Sequence, residues 1–254
     1  MYEAYKNDKP IVIAMGAHVI KVGLNPVLID LMERGVITAI AMNGAGIIHD
    51  SELAIAGKTS EDVESALGDG AFGMAKETSD FLSHAIKQSQ KKNTGLGEAV
   101  GNSLLAENFP FIQSSLLATG ARLGIPITVH VAIGTDIIHM HPDFDPAIAG
   151  LASHLDFRKF ASVIAKLEKG VYINIGSAVV LPEVFLKAIS LVRNMGYDLT
   201  DFTAVNMDFI KHYRPTTNVV NRPTSKGGRG INLIGHHEIM FPLIAAGLIE
   251  KISN

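Results

Sequence analysis

Short aliphatic runs alternate with helix-period segments along the whole chain. Ile11 to Met15 is continuously apolar and closes at Gly16, the pattern of a strand buried on both faces. Asn25-Pro26 then opens a helix, with Asn as N-cap and Pro at the first helical position. Val27, Leu28, Leu31 and Met32 follow at helical spacing until Gly35, and Val36 to Met42 forms the next strand, ending in Asn43-Gly44-Ala45-Gly46. Strand, helix and strand joined by a right-handed crossover make a parallel βαβ unit. Downstream, strands are expected at Ile125 to Ile133, Val171 to Ile175, Phe202 to Asn206 and Ile231 to Ile234. Helices are expected at Thr59 to Gln90, Ser103 to Leu123, Phe157 to Leu167, Pro182 to Met195 and Glu238 to Ile252. Thr59-Ser60-Glu61-Asp62 supplies the first of these with a cap and an acidic first turn. Lys91 to Gly97 and Lys211 to Gly230 have the composition of loops. The alternation predicts an α/β, Rossmann-like open and mostly parallel sheet with helices on both faces, forming one domain over residues 1–254.

Composition narrows the function classes. A chain that is 47% hydrophobic with a net charge of -3 is neither disordered nor a nonspecific nucleic-acid binder. With no cysteine it has no disulfide, thiolate metal site or cysteine nucleophile. Met1 to Pro10 is polar, and no apolar run approaches the length of a membrane helix, so a cytoplasmic protein with no membrane partner is expected.

Ligands of such folds bind at the carboxyl ends of strands. That rule singles out His18 behind Gly16, the loop from Asn43 to Asp50, Asp136, Gly176-Ser177-Ala178, and Asn206 with Asp208. The Asn43–Gly46 and Gly176–Ala178 loops both end a strand and precede a helix, where small residues let backbone N–H groups approach a phosphate. Neither is a dinucleotide fingerprint or a P-loop, and glycines there also serve as plain turns. His130, Asp136, His139 and His141 have the elements of a metal site, or belong to a solvated loop. His49 and the His236-His237 pair follow strand ends, whereas His84, His154 and His212 sit in unremarkable polar context.

The run from Gly16 to Asp50 resembles the N-terminal core of deoxyhypusine synthase and its homospermidine synthase relatives, with Asn43 to Asp50 in place of their T-A-G-G-V-E-E-D. Further ordered matches are Gly124-Ile125-Pro126, Thr135-Asp136, Ile175 to Val180 for L-G-G-G-V, Ala204 to Asn206, Arg222-Pro223, and His237 to Ala246 around Phe241-Pro242. The resemblance implies a homotetramer with sites at subunit interfaces and NAD at the strand ends. It also implies oxidation of a polyamine on NAD and transfer of its aminobutyl group through a lysine imine. By this resemblance His18, Asn43, Gly44, Ala45, Gly46, Asp136, Gly176, Ser177, Ala178, Asn206 and Asp208 would hold the cofactor. Asp50 and Glu238 would receive the amine substrate and Lys226 would be the catalytic lysine, whereas His49 and His237, with Asp136, are the catalytic candidates for a different NAD reaction.

The departures lie at the chemistry. The family's W-G-K lysine motif has no counterpart, since the chain has no Trp, and Lys226, with Arg229 nearby, is the candidate nucleophile in the corresponding loop. The family's paired histidines become Pro182-Glu183, and Ile48-His49 replaces its first acidic pair. Three readings follow: an NAD-dependent transferase or related enzyme on a small amine, a metal-dependent hydrolase or lyase built on the His130/Asp136/His139/His141 cluster, and a noncatalytic nucleotide-binding relative.

Overall fold

A computed structural model describes residues 1–60, 63–68 and 70–254. The described residues form one six-stranded sheet in the order β3-β2-β1-β4-β5-β6, with every neighbouring pair parallel. The strands are β1 (Ile11–Met15), β2 (Ala39–Asn43), β3 (Ile127–His130), β4 (Val171–Ile175), β5 (Thr203–Asp208) and β6 (Arg229–Ile234). Helix α1 (Tyr2–Lys6) precedes β1, and α2 (His18–Lys21) and α3 (Asn25–Glu33) carry the chain to β2. Between β2 and β3 lie α4 (Gly44–Ala56), α5 (Val63–Leu67), α6 (Lys76–Lys92), α7 (Leu96–Glu107) and α8 (Leu116–Leu123). Helix α9 (Pro146–Ile164) leads to β4 and α10 (Val180–Asn194) to β5. A helical run of α11 (Tyr213–Pro215), a π-helical segment at Thr216–Asn221 and α12 (Arg222–Thr224) leads to β6, and α13 (His237–Ser253) follows it.

The uninterrupted apolar sequence of β1 reflects its central place, where both faces are covered. Ile11, Ile13 and Met15 point into one core with Leu28, Leu31, Ile47, Leu104 and Phe241. Val12 and Ala14 point into the other, with Phe160 of α9, Leu181 and Phe185 of α10, and Val219 and Val220. Among the described residues no helix is long and apolar enough to cross a membrane.

Several boundaries differ from the sequence expectation. The expected helix from Thr59 to Gln90 is divided into α5 and α6, because Gly70 and Gly73 take φ of 71° and 76° between them. Its acidic first turn, Glu61-Asp62, lies outside the described residues. Most of Lys91 to Gly97 belongs to helix ends rather than to a loop. The expected loop from Lys211 to Gly230 is helical over its first half. Its Asn218, Val219 and Val220 are buried, and Glu183 of α10 accepts from Arg214 and from Asn218, both at 2.8 Å. Tertiary packing of an apolar pair overrides a Pro/Asn/Thr composition there.

Candidate functional site at the carboxyl edge of the sheet

The order of the strands, not their direction, reverses between β1 and β4, and it is in the crevice at the carboxyl ends beside such a switch point that parallel α/β sheets place ligands. Two glycines determine its floor. A Cβ at Gly16 would overlap the Gly176 carbonyl oxygen, so only glycine lets the two backbones meet. Gly176 has φ of 61°, and a Cβ there would stand 2.8 Å from Cε1 of His237. The loops after β1 and β4 and the His237 ring are thus in mutual contact.

A row of amides supports this floor. Asn174, Asn206 and Asn232 occupy matching register positions on β4, β5 and β6. Asn174 Nδ2 donates to Asn206 Oδ1 at 2.8 Å and to the Ser177 carbonyl at 2.9 Å, and Asn206 Nδ2 donates to Asn232 Oδ1 at 3.4 Å. Asn206 is therefore engaged within the sheet, where it shapes the Gly176–Ala178 loop indirectly. Ser177 Oγ accepts the Leu181 N–H at 3.2 Å in the first turn of α10. Helix α10 starts just beyond Ala178, and the first-turn N–H groups of a helix are suited to an anion.

His237, the first residue of α13, is 2% exposed and stands with Nε2 3.6 Å from Asp208 Oδ1 at the end of β5. Nε2 has no hydrogen-bond partner. That separation is just beyond hydrogen-bond length and sets an imidazole nitrogen against a buried carboxylate. Asp208 Oδ1 also accepts the Phe209 N–H at 2.9 Å. The other carboxylate oxygen lies 3.9 Å from Nε2 of His212, whose side chain is 36% exposed. His18 approaches His237 edge-on, with ring centroids 5.9 Å apart. The sequence reading named His18, Asp208 and His237, and the structure brings these three together; it passed over His212, whose i+4 spacing from Asp208 was the available signal. Glu238 is half-exposed in the first turn of α13, 3.7 Å from His236.

Other expected site residues serve elsewhere. The start of α4, expected to receive phosphate through Asn43, Gly44, Ala45 and Gly46, is already filled by Asp136, which accepts the Ala45 N–H. A Cβ at Gly44 would overlap the Asp136 carboxylate, so that glycine admits a protein carboxylate. The start of α4 thus holds a protein carboxyl where the sequence pattern led to the expectation of a phosphate. Burial raises the Asp136 carboxyl above its usual range, against the opposing pull of His139, Thr135 and Ala45. His139 Nδ1 accepts the N–H groups of Gly134 at 3.1 Å and Asp136 at 3.2 Å, which places its proton on Nε2.

The histidines of the expected metal cluster diverge. His130 lies against Thr128 Oγ1 at 3.0 Å and the Phe160 ring, and burial lowers its pKa to about 3. His141 Nε2 lies 2.8 Å from the Gly73 carbonyl. Among the described residues no three His, Asp or Glu side chains converge on a metal position.

His49 lies with Thr59 at 2.6 Å and Glu52 at 3.5 Å. Burial pushes the Glu52 carboxyl up, but His49 and Thr59 together outweigh it and hold that carboxyl below its ordinary value. Asp50 is fully buried and accepts from Ser115 Oγ, the Leu116 and Leu117 N–H groups and Asn25 Nδ2 at 2.5 to 3.0 Å. It caps α8 and has no face toward the crevice, so the expected substrate carboxylate is corrected to a structural one.

Lys226 is exposed and precedes β6, with neighbouring Gly228 against the carbonyls of Thr200 and Phe202 that lead into β5. It therefore sits at the amino edge, roughly 20 Å from its own chain's crevice at about 3.3 Å of rise per strand residue. The expected nucleophile is thus displaced by the length of β6. A cavity of about 650 Å³ also opens at that amino edge, lined by Pro10, Thr38, Gly120 and Lys159.

No protein-family model and no curated protein matches the chain. Solved structures share its fold. A protein from Methanococcus maripaludis S2 described as LOR/SDH superposes with a TM-score of 0.57 at 16% identity, covering 99% of this chain and 66% of that one. AgrE, in a ternary complex with ornithine and NAD+, gives a TM-score of 0.59 at 13% identity over 98% of this chain and 31% of its own. A protein from Entamoeba histolytica described as a deoxyhypusine synthase gives 0.51 at 15% identity, covering 94% and 73%. The chain thus spans between about a third and three quarters of the lengths of these proteins, and what it has in common with them is the parallel α/β fold.

Proposed function

We propose that the chain binds NAD along the carboxyl edge of its sheet and acts as an NAD-dependent enzyme on a small amine or amino-acid substrate. The observation that carries this reading is the meeting of the Gly16 and Gly176 backbones beside the buried His237–Asp208 pair. What supports a dinucleotide here is the Gly176–Ala178 loop followed by the start of α10, whose first-turn carboxylate, Glu183, is already engaged by Lys187, Arg214 and Asn218. A neighbour of the same fold that holds ornithine and NAD+ together supports the substrate class.

Bound NAD supplies the acceptor for a hydride leaving the substrate carbon. The chain's own residues handle the proton. His237 presents Nε2 to Asp208, which leaves Nδ1 to take a proton from the amine or return it. Asp208 orients the ring. Glu238 at the rim offers a carboxylate to a cationic substrate. Aminobutyl transfer, the finer activity implied by the family resemblance, needs a neutral lysine at the crevice, and Lys226 does not supply one from its own chain. Exposed Phe209, Ile210, Tyr213, Ile239 and Leu243 follow the ends of β5 and β6, and they support a homo-oligomer that closes over the site. Light scattering at the mass of one 27.2 kDa chain would remove that part.

Calorimetric titration with NAD+ and NADH tests the cofactor, and a panel of amines and amino acids followed by NADH absorbance tests the reaction. No binding at millimolar concentration overturns the reading. His237→Gln is expected to bind NAD as the parent does while turnover falls by about 10²- to 10⁴-fold.

A further inference from the structure

A second cavity, about 290 Å³, opens at the carboxyl edge between α9 and α10, beyond the end of β3. Its walls are Val131, Ile133, Phe157, Val180 and Val184, with Gly150 on one side. Ile133 is 62% exposed, so it presents aliphatic surface that the fold itself does not cover. His154 and Phe157 lie near-parallel at the rim, with 25° between their rings. The polar groups at the floor are already engaged: Ser153 Oγ accepts from the Val131 N–H and donates to the Val129 carbonyl, and His130 lies against Thr128. The pocket therefore offers flat apolar surface without an unpaired charge, at a volume suited to one aromatic base rather than to a whole cofactor.

Its position adds a second constraint. Val180 is both a wall of the pocket and the first residue of α10, two positions beyond Ala178. A ligand whose uncharged ring fills the pocket would carry an attached phosphate to that helix start. From β3 to β5 the crevice crosses four strand spacings, roughly 19 Å at about 4.8 Å each, a distance an extended dinucleotide bridges. We infer that this pocket holds the adenine base of the cofactor, so that the dinucleotide runs from α9 and α10 across Gly16 and Gly176 with its nicotinamide end beside His237. The inference rests on the NAD reading and adds to it the direction of the cofactor and the residues that hold the base.

Gly150 provides a clean test. It lies within α9, and a Cβ there meets nothing within 4 Å, so Gly150→Phe fills the pocket without displacing backbone and removes a helix-weakening glycine. The full chain, Gly150→Phe and Gly150→Ala would be titrated with NAD+, AMP and nicotinamide mononucleotide, with melting temperatures recorded alongside. The expected result is an NAD+ and AMP affinity at least tenfold weaker in Gly150→Phe, with nicotinamide mononucleotide unaffected, Gly150→Ala close to the parent, and no fall in melting temperature. Equal NAD+ affinity in the parent and Gly150→Phe, or selective loss of nicotinamide mononucleotide, would overturn the base assignment while leaving the NAD reading standing. No NAD+ binding by the parent chain would overturn both.

Discussion

Asp156 lies in the middle of α9, fully buried, and joins three elements. Its Oδ2 accepts the N–H groups of Gly97, in the first turn of α7, at 3.0 Å and of Val129, in β3, at 2.9 Å. Its Oδ1 has no partner. Burial raises the carboxyl to about 7 despite the opposing N–H bonds and Lys159. An unfolded aspartate titrates near 3.9. Between those two values the folded chain keeps a proton that the unfolded chain has released, so stability falls as pH rises, by about 1.4 kcal/mol per pH unit. The full loss is about 4 kcal/mol and is complete above the folded value. In Asp156→Asn the amide oxygen can accept both N–H bonds, and the group no longer titrates. Urea denaturation of both proteins at pH 5 and pH 8 reads the effect, since their difference cancels every other titrating group. About two pH units of the window lie above pH 5, so the difference should move by about 2.7 kcal/mol in favour of Asp156→Asn on going to pH 8. A difference that stays constant within about 0.5 kcal/mol would refute the reasoning.

Asp50→Ala leaves Ser115, Leu116, Leu117 and Asn25 without their shared acceptor and, at about 1–3 kcal/mol for a buried donor left unpaired, should cost at least that much stability. NAD affinity of the folded variant should be unchanged, and a specific loss of binding would return Asp50 to the site. Gly16→Ala drives a methyl into the Gly176 carbonyl, which has no side-chain freedom to yield, so about 1–3 kcal/mol of stability and most NAD binding should go together. Thermal melts with and without NAD check both. Lys226→Ala should leave melting temperature, NAD affinity and turnover at parental values, and borohydride trapping of a substrate adduct on Lys226 would contradict that.

The order of elements and the central strands were legible in the sequence because their causes are local. β1 is apolar throughout because a central parallel strand is covered on both faces, and glycines at 16 and 176 mark strand ends whatever surrounds them. The rule that ligands gather at carboxyl ends singled out His18 and Asp208, and His237 was noted only as following the last strand. Lys226 was in principle readable too, since a residue just before a parallel strand stands at the amino edge, opposite the crevice.

Tertiary structure decided which carboxylate meets which helix start. Asp50 caps a helix 65 positions onward, Asp136 fills the start of α4 from beyond β3, and Asp156 joins α7 to β3. Each looks alike in sequence, as an acidic residue within an apolar or polar run. Only the docking of α4 to α9 onto the sheet separates a buried structural acceptor from one that can meet a ligand. The same holds for the helical turn that buries Val219 and Val220 in a stretch composed like a loop, and for His212, which gains a partner when the segment after β5 folds back on Asp208. Hydrophobic period and turn chemistry act over a few residues and are written in the chain. The pairing of buried polar groups depends on distances that exist only once the layers have packed.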